Sequence, residues 1–500
     1  MAIRDTVLIS TDPVSVDDLV AIADGAVAEI SDGAWRRMQA SRATLVSALD
    51  RGEAVYGANT GVGHARDMLI PPERMHAMQQ DLVRMHAGAF GPAMPRDVVR
   101  AVMATRVVGL TRGGAGASPA LARMLLAMLN KQVTPVVPRT GSVGAADLAA
   151  HAAIGQVALG EGYAECGAGV VSGARALRDA GLRPLTLGPK DAIALISANG
   201  VTVGHGSLVI RRAVRVLELA DLVAATSMDA WAANPSVLDP LVQSAKGSPG
   251  QEAVAHRMRK HLSDSARISS PRSLQDPLSF RVTPQVHGAC LDVVHSTTAA
   301  VAAELNAMAD NPLAAAGSDR VLSNGNFQPM LVALGFESVR IALAHVTQLS
   351  DRRLGHLWDG AVAALGTKPP DQLSSPGLTS GLLLRYAAAA RYTDARRLAN
   401  PVTLDLPALD LGQEDHATNA PAAVAATEDL LDVLLDVLAV EALTAHEVLA
   451  GDTQPPPGTG TAQMTDALSD AIGLLGGAPT SQDIHAAARA ALVTLGVDTE

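Results

Sequence analysis

Apolar residues recur at helical rather than alternating spacing along most of this chain. Residues 119–133 (PALARMLLAMLNKQV) and 426–449 (ATEDLLDVLLDVLAVEALTAHEVL) show this spacing most clearly. In the second segment, apolar side chains leave only a narrow polar stripe of Asp429, Asp432 and Asp436. Because a helix that is apolar on most sides is buried, we predict a mainly α fold with a long central helical bundle.

Turn-forming residues cluster at a few places that separate the helical segments. The clusters lie at 56–65, 111–119, 135–148, 318–329 and 453–460, and such clusters are typical of loops. The first three favour a loop-rich N-terminal catalytic domain over residues 1–205. Residues 206–500 then form a helical-bundle domain, with a small helical tail after the Pro/Gly stretch near residue 455.

Composition excludes several classes of protein. With 500 residues, 48% of them apolar, the chain can bury a large core and is not intrinsically disordered. Two cysteines, Cys166 and Cys290, cannot form a disulfide framework or a Cys-rich zinc site, so we expect a cytoplasmic location. The first residues lack the apolar run of a secretory signal, so we also expect the chain to begin mature.

Charge and hydropathy also bear on the expected partners. A net charge of −11, with only three Trp, four Tyr and four Phe, argues against nucleic acid. The uncharged run from Ala192 to Ile210 contains Asn199, three glycines and His205, which a lipid-facing helix tolerates poorly. We therefore predict a buried segment there and no membrane partner.

Common nucleotide and zinc motifs are absent from the sequence, and we predict no metal site. Several polar clusters remain, each with an ordinary structural interpretation when taken alone. Tyr56 stands in the glycine-rich loop YGANTGVG, where it serves either as a packed phenol or as a base. Asp147 follows the turn GSVGAA and reads as a helix N-cap. The others are Asn199-Gly200, the run Gln275–Arg281, Glu304–Asn306 with Asp310–Pro312, Gly325–Phe327, and Gln413–His416.

Taken in this order, the clusters resemble the signatures of the histidine/phenylalanine ammonia-lyase family over nearly the whole chain. The matching sequence segments are YGANTGVG, GSVGA with DLA, QDPLSFR, ELN with DNP, GNF and QEDH. The resemblance implies a histidine/phenylalanine ammonia-lyase-like fold, a homotetramer whose active sites are shared between subunits, and elimination of an amine from an aromatic α-amino acid. The resemblance then implies that the protein binds a small-molecule amino acid or a betaine as its substrate.

The resemblance also assigns roles to individual residues. Tyr56 corresponds to the base that removes the β-proton, and Arg281 with Asn311 corresponds to the group that binds the substrate carboxylate. Glu414, expected on a helix with Gln413, faces the ring or the amine of the substrate. The remaining members of the implied site are Asn199 among the catalytic residues, and Gln275, Phe327 and Gln413 among those that bind substrate.

His86 occupies a family position that tunes the choice of substrate, and histidine-specific members carry a histidine there. This favours an imidazole-bearing substrate, although Met85 departs from the small serine expected beside it. A satisfied core histidine is the competing interpretation.

The chain departs from the family where the electrophile is made. Typical members cyclise an Ala-Ser-Gly tripeptide into a methylidene-imidazolone, whereas this chain reads Ala145-Ala146-Asp147. The family's tyrosine in the QDxYSxR run is Leu278 here, and a histidine after GNF is Gln328. The usual asparagine of the TRVVGL segment is also replaced by valine. These changes together indicate altered chemistry, and no cofactor is predicted.

Three interpretations remain open. An ergothionase-like enzyme would expel trimethylamine from a betaine, because an alkylated amine leaves without an electrophile. Alternatively, a matured methylidene-imidazolone written as one residue would shorten the sequence and hide an ordinary ammonia-lyase, though this would not explain Leu278. The third is a non-enzymatic homologue, against which the retained Tyr56, Arg281, Asn311 and Glu414 argue.

Overall fold

The structure, a computed structural model, describes residues 5–167, 169–365, 376–404, 406–450, 455–477 and 479–498. The chain divides into two compact units. The first comprises Met1–Ile210, Thr297–Phe336 and Pro401–Ala425, and the second comprises Arg211–Ser296, Glu337–Asn400 and Ala426–Glu500. The expected division after residue 205 lies near the end of the first segment. The units are nevertheless discontinuous, because later segments bond back to earlier ones: Ala314 N–H donates to Gly114 O at 2.8 Å, and Asn419 N–H to Val143 O at 2.8 Å.

In the described residues of the first unit, helices combine with seven short strands. Its helices are α1 (Val16–Asp24), α2 (Asp32–Asp50), α3 (Met75–His86), α4 (Arg96–Thr111), α5 (Pro119–Asn130), α6 (Leu148–Ala158), α7 (Gly173–Asp179) and α8 (Asp191–Ile196). Its strands are β1 (Thr6–Ile9), β2 (Val27–Ile30), β3 (Phe90–Ala93), β4 (Thr134–Pro135), β5 (Pro138–Thr140), β6 (Tyr163–Cys166) and β7 (Gly169–Ser172). β1 pairs with β2 in parallel, β3 pairs with β5 antiparallel, and the third sheet has the antiparallel order β4-β6-β7.

Local sequence signals explain how several of these elements begin and end. Ser15 and Asp18 form a capping box at the start of α1, which satisfies backbone donors that a helix leaves unpaired. At the other end of α1, the buried guanidinium of Arg100 donates to the carbonyls of Ile22 and Ala23 at 2.8 Å. Arg100 lies on α4, a helix buried over most of its length, and so anchors α1 to the core of the unit.

Among the described residues, four long helices contribute residues to both units, and the second unit adds further helices. The long helices are α9 (Gly206–Trp231), α13 (Thr283–Leu305), α14 (Met330–Leu365) and α16 (Ala420–Ala450). The further helices of the second unit are α10 (Pro240–Lys246), α11 (Pro249–His261), α12 (Leu278–Arg281), α15 (Pro376–Leu398), α17 (Thr459–Gly473) and α18 (Ser481–Asp498). This architecture confirms the predicted mainly α fold, and α16 contains the whole apolar segment predicted at 426–449.

A buried ion pair joins the long helices within the second unit. The carboxylate of Glu441 on α16 accepts hydrogen bonds from Arg353 and Ser350 of α14 and from Ser227 of α9. Arg353 also donates to the hydroxyl of Thr283 on α13. Arg353 and Glu441 are both fully buried, and removing one partner of such a pair destabilises a protein by about 3–5 kcal/mol.

The polar stripe of α16 explains how the C-terminal helix packs. Asp432 pairs with Arg212 and with Arg489 of α18, each at 2.5 Å. Asp436 pairs with Arg391 at 2.7 Å and with Arg489 at 3.0 Å. Asp432 and Asp436 of the polar stripe therefore face arginines of neighbouring helices.

Two helical stretches, Asp191–Trp231 and Met330–Val362, are long and apolar enough to cross a membrane by length and composition alone. Core helices of soluble proteins meet the same criterion. In the first stretch 94% of the most apolar window is buried inside the chain, against 50% in the second. The segment from Ala192 to Ile210, predicted to be buried, accordingly folds into the core, with a π-helical turn at Val201–His205 before α9.

Candidate active site

The loop that follows α2 holds Tyr56 in the first unit. The side-chain oxygen of Asn59 accepts the N–H of Val55 at 2.7 Å, and its amide donates to the carbonyl of Glu53 at 2.9 Å. Gly57 has φ +66°, and a Cβ there would lie 2.9 Å from Ile193 Cγ2. Glycine is therefore required where the loop packs against α8. Tyr56 itself is half-buried, and its phenol oxygen accepts the N–H of Gly63 at 2.9 Å.

The surroundings of Tyr56 raise the pKa of its phenol. Burial is the main cause, and the negative charges of Glu414 and Asp410 add to it. The N–H of Gly63 and the charge of Arg66 act in the opposite direction. The phenol is therefore protonated at neutral pH in the unliganded chain, and a cation bound beside it would lower its pKa.

Glu414 lies on a tight turn, not on the helix that we expected for Gln413 and Glu414. Asp410, Leu411 and Gly412 have φ values of +46°, +54° and +82°, which a right-handed helix does not accommodate. Instead, Leu409 and Glu414 pair as a β-bridge, with Leu409 N–H donating to Glu414 O at 2.8 Å. The turn leaves Gln413 exposed and Glu414 half-buried.

His86 and Asp410 both act on the Glu414 carboxyl group. Burial is the first cause of its raised pKa, Asp410 raises it further, and His86 lowers it. His86 is the last residue of α3, half-buried, with Nδ1 lying 2.7 Å from the carbonyl of Leu82. That contact assigns the proton of a neutral ring to Nδ1 and leaves Nε2 as the acceptor. Tyr56, Glu414 and His86 are thus one electrostatically linked group.

The loop from Gly141 to Asp147 is closed by hydrogen bonds to two other segments. Asp147 is fully buried, and its carboxylate accepts the hydroxyl of Ser142 at 2.5 Å and the N–H of Thr202 at 2.9 Å. The hydroxyl of Thr418 donates to the carbonyl of Gly144 at 2.7 Å. Ala146, with φ +58°, is buried with its neighbour Ala145.

Asp147 occupies the predicted N-cap position of α6, but its side chain does not bond to the first turn of the helix. The Asp147 carboxylate instead accepts hydrogen bonds from the hydroxyl of Ser142 and the N–H of Thr202. Burial raises the pKa of Asp147, and these two hydrogen bonds oppose the change.

Asn199 is hydrogen-bonded to Glu304, on which the charge of Asp147 acts. Its amide nitrogen donates to Glu304 Oε1 at 2.5 Å, while its buried oxygen has no hydrogen-bond partner among the residues that the structure describes. Burial raises the pKa of Glu304, and the nearby charge of Asp147 raises it further. Asn199, Glu304 and Asp147 therefore form a second polar group in the first unit.

Comparison with known proteins identifies the family. A sequence profile described as aromatic amino acid lyase matches residues 14–470. The chain belongs to the aromatic amino acid lyase family. A histidine ammonia-lyase of Gloeobacter violaceus is 35% identical over 464 residues, covering 92% of this chain and 90% of the relative. One of Bradyrhizobium diazoefficiens is 34% identical, covering 88% of this chain and 86% of the relative.

Solved structures of the aromatic amino acid lyase fold superpose over nearly the whole chain. Histidine ammonia-lyase from Trypanosoma cruzi has a TM-score of 0.87 at 25% identity, covering 98% of this chain and 93% of that one. The ergothioneine-degrading enzyme ergothionase from Treponema denticola, in complex with desmethyl-ergothioneine sulfonic acid, has a TM-score of 0.91 at 24% identity. That pair covers 99% of this chain and 100% of the other. The protein is thus an enzyme of the ammonia-lyase family.

Members of the aromatic amino acid lyase family typically use a methylidene-imidazolone formed from an Ala-Ser-Gly segment. The residues of this chain do not fit that group. The corresponding loop reads Ala145-Ala146-Asp147, without the serine hydroxyl that the family eliminates or the glycine that closes the ring. The nearest hydroxyl in the loop, that of Ser142, is bonded to the Asp147 carboxylate.

The other predicted site residues fall into two places. In the first unit, Asn311 is half-buried and its side-chain oxygen accepts the N–H of Asn324 at 3.0 Å, while Phe327 is half-buried nearby in sequence. In the second unit, Gln275 and Arg281 line a cavity of about 320 Å³. Within the described part of the chain, no hydrogen-bond acceptor is paired with the Arg281 guanidinium, which leaves it available to an anionic ligand.

Two residues near Tyr56 lie outside the expectations drawn from the sequence. Asp410 and His64 bond to each other at 2.7 Å between Oδ1 and Nδ1. No motif marks Asp410, which precedes the QEDH segment within a glycine-containing turn. The only signal in the sequence was an acidic residue in that turn. Such a residue does not show which side chains lie near it in the folded chain. Among the described residues, no cluster of three or more potential metal ligands was found.

Proposed function

We propose that this enzyme eliminates trimethylamine from an imidazole-bearing betaine, without a methylidene-imidazolone. The observation that carries the proposal is the loop at Ala145, Ala146 and Asp147, which lacks the serine and glycine of the family's electrophile. The retained group of Tyr56, Glu414 and His86 supports an elimination. The products are trimethylamine and an α,β-unsaturated acid.

The reaction balances with the residues of this chain alone. As the cationic substrate binds, the Tyr56 phenol loses its proton to solvent. The phenolate then takes the β-proton, the C–H electrons form the α,β double bond, and the C–N electrons leave with the amine. A quaternary amine departs as neutral trimethylamine and needs no acid. It also has no N–H proton, whereas a primary ammonium, with an ordinary pKa near ~8, would protonate the base in preference to the much less acidic β-carbon.

The charges around Tyr56 favour a cationic substrate. The carboxyl groups of Glu414 and Asp410 raise the pKa of the phenol, and a fixed positive charge bound between them would offset that effect. The same carboxylates attract a quaternary ammonium. We propose that Glu414 with His86 contacts the imidazole ring and that Asn311 contacts the substrate carboxylate. We also propose that Arg281 binds a substrate carboxylate, the use for which a guanidinium is suited, in a site shared between subunits.

Amine release from a panel of substrates tests the proposal. The panel contains histidine, phenylalanine, tyrosine, and trimethylated histidine with and without sulfur on the ring, and mass spectrometry identifies the amine. We expect trimethylamine without ammonia, and Tyr56→Phe as the matched variant should release neither. Ammonia from histidine, without trimethylamine from the betaines, would overturn the proposal.

An ordinary histidine ammonia-lyase is the second candidate, because relatives named histidine ammonia-lyase are 35% and 34% identical to this chain over most of its length. That reaction requires the Ala-Ser-Gly segment to be encoded. Intact mass separates the candidates: the cyclised tripeptide adds mass beyond the 500 residues of the sequence, less two waters. A mass equal to that of the 500-residue chain supports the reaction without the prosthetic group.

We also propose the homotetramer that is usual in the family, with active sites that take residues from more than one subunit. A cytoplasmic location suits its two free cysteines, of which Cys290 is buried. Light scattering of the purified enzyme tests the tetramer. A monomer with full activity would overturn the shared sites.

A further inference from the structure

The carboxylate of Asp410 holds the loop that carries Tyr56. Its Oδ2 accepts the N–H of His64 at 2.9 Å, and its Oδ1 lies 2.7 Å from His64 Nδ1. The preceding N–H, that of Gly63, donates to the phenol oxygen of Tyr56 at 2.9 Å. A Cβ on Gly63 would lie 2.0 Å from Asp410 Oδ2, so only glycine allows this approach. Two successive N–H groups thus bond to Tyr56 and to Asp410.

Asp410 also begins the turn that carries Glu414. Asp410 and Leu411 both adopt left-handed backbone conformations, which are unfavourable for residues other than glycine. Such conformations persist where surrounding contacts enforce them. Here the contacts are the Leu409–Glu414 bridge and the two bonds to His64. The pair formed by His64 and Asp410 therefore joins the Tyr56 loop to the Glu414 turn.

We propose that His64 and Asp410 are positioning residues, which hold the Tyr56 loop against the Glu414 turn so that both side chains act on the substrate in a fixed geometry. The inference rests on the proposed function, in which Tyr56 is the base. An ordinary surface ion pair is the competing explanation, since the His64 side chain is 63% exposed. Such pairs contribute little to stability, whereas a displacement of about 1 Å at a catalytic group lowers turnover by about 10²-fold.

Turnover and stability therefore separate the two explanations. We expect Asp410→Ala and His64→Ala to lower kcat by about 10- to 100-fold, with little change in KM or in the unfolding midpoint. The double variant should be no worse than Asp410→Ala, because the two residues act as one unit. The matched control is Arg175→Ala, which breaks the exposed Arg175–Asp179 pair and should leave turnover unchanged. Full turnover in both single variants, or losses that add, would overturn the inference.

Asp410→Asn adds a readout that a merely structural role would not change. The charged groups that act on the Tyr56 phenol are Glu414, Asp410 and Arg66. Removing the negative charge of Asp410 lowers the pKa of the phenol. The limb of the pH profile on which kcat/KM rises with pH should then move to lower pH in Asp410→Asn and not in His64→Ala. An unmoved limb would contradict the inference. Asparagine tolerates the left-handed backbone, so this variant is informative even where alanine prevents folding.

Hydrogen exchange tests the holding of the loop without relying on activity. In His64→Ala and Asp410→Ala, the amides of residues 61–66 should exchange faster than in the wild-type enzyme, and unchanged exchange would overturn the inference. Tyr56→Phe separates this inference from the proposed function. If Tyr56→Phe is inactive while His64→Ala and Asp410→Ala are both fully active, the positioning role alone fails. If Tyr56→Phe is fully active, the proposed base fails and the positioning role fails with it.

Discussion

Replacing Gly144 by alanine tests how the loop at Ala145 and Ala146 is held. Gly144 has φ +75°, and a Cβ there would lie 2.4 Å from Thr418 Oγ1 and 2.9 Å from the backbone nitrogen of Ala420. The left-handed backbone is unfavourable for alanine by about 1–2 kcal/mol, and overpacking adds about 1–3 kcal/mol. Loss of the hydrogen bond from Thr418 to the Gly144 carbonyl lowers the free energy of unfolding by about 1 kcal/mol more. We expect a total destabilisation of about 3–6 kcal/mol.

Gly247→Ala is the matched control, because Gly247 has a similar φ of +68° and no atom lies within 4 Å of the position that its Cβ would occupy. It should lose only the conformational contribution, about 1–2 kcal/mol. Urea titrations followed by tryptophan fluorescence give both free energies of unfolding. Turnover of Gly144→Ala should also fall, since the displaced backbone carries Ala145 and Ala146. Equal destabilisation in the two variants would refute the contact between this loop and residues 418–420.

Three further predictions concern single side chains. Tyr56→Phe should lower kcat by about 10²- to 10⁴-fold with an unchanged unfolding midpoint, whereas Phe at the exposed Tyr163 should have no effect; full activity of the first variant would exclude the base assignment. Arg281→Lys should raise KM about tenfold because lysine cannot bind a carboxylate in a bidentate manner, and an unchanged KM would remove Arg281 from that role. Burial raises the pKa of Glu447 to about 7, so its contribution to stability is lost as pH rises from the unfolded pKa of 4.5 to about 7. Glu447→Gln should therefore be more stable than wild type at pH 8 by about 1–2 kcal/mol and equal to it at pH 4, and a difference independent of pH would contradict the cause.

The long helices could be predicted from the sequence because their apolar surfaces extend over many turns. The prediction at 426–449 lies wholly within α16 (Ala420–Ala450), and α5 begins at the predicted Pro119. α5 ends at Asn130, shortly before Gln132 takes a left-handed backbone. The seven strands that the structure describes were not predicted, since each has only two to four residues, too few to show an alternating pattern. Their pairing depends on contacts between distant segments.

The candidate site was predictable only where a motif carried it. Tyr56, His86 and Glu414 came from the family resemblance, and the structure brings them into electrostatic contact. The turn at Glu414 was missed because the left-handed backbone of Asp410 and Leu411 is set by tertiary contacts, and neither residue type favours it as glycine does. The pairing of His64 with Asp410 spans 346 residues and leaves no local pattern.

The charges of the first unit bear on the proposal that the substrate carries a fixed cation. Burial raises the pKa values of Asp147, Glu304 and Glu414, and it raises that of the Tyr56 phenol as well. The ionised carboxylates of Glu414 and Asp410 make the phenolate less favourable, so the phenol of Tyr56 stays protonated in the unliganded chain. A quaternary ammonium carries its charge at every pH and would offset the carboxylates as it binds, which lowers the pKa of Tyr56. On the proposed mechanism the same group then departs as the amine, so one feature of the substrate both prepares the base and provides the leaving group. A substrate whose amine can lose a proton does not reliably prepare the base or provide the leaving group. We therefore expect a higher kcat/KM for betaines than for the corresponding amino acids. The ratio of the two values should fall in Glu414→Gln, in which the charge of Glu414 is removed.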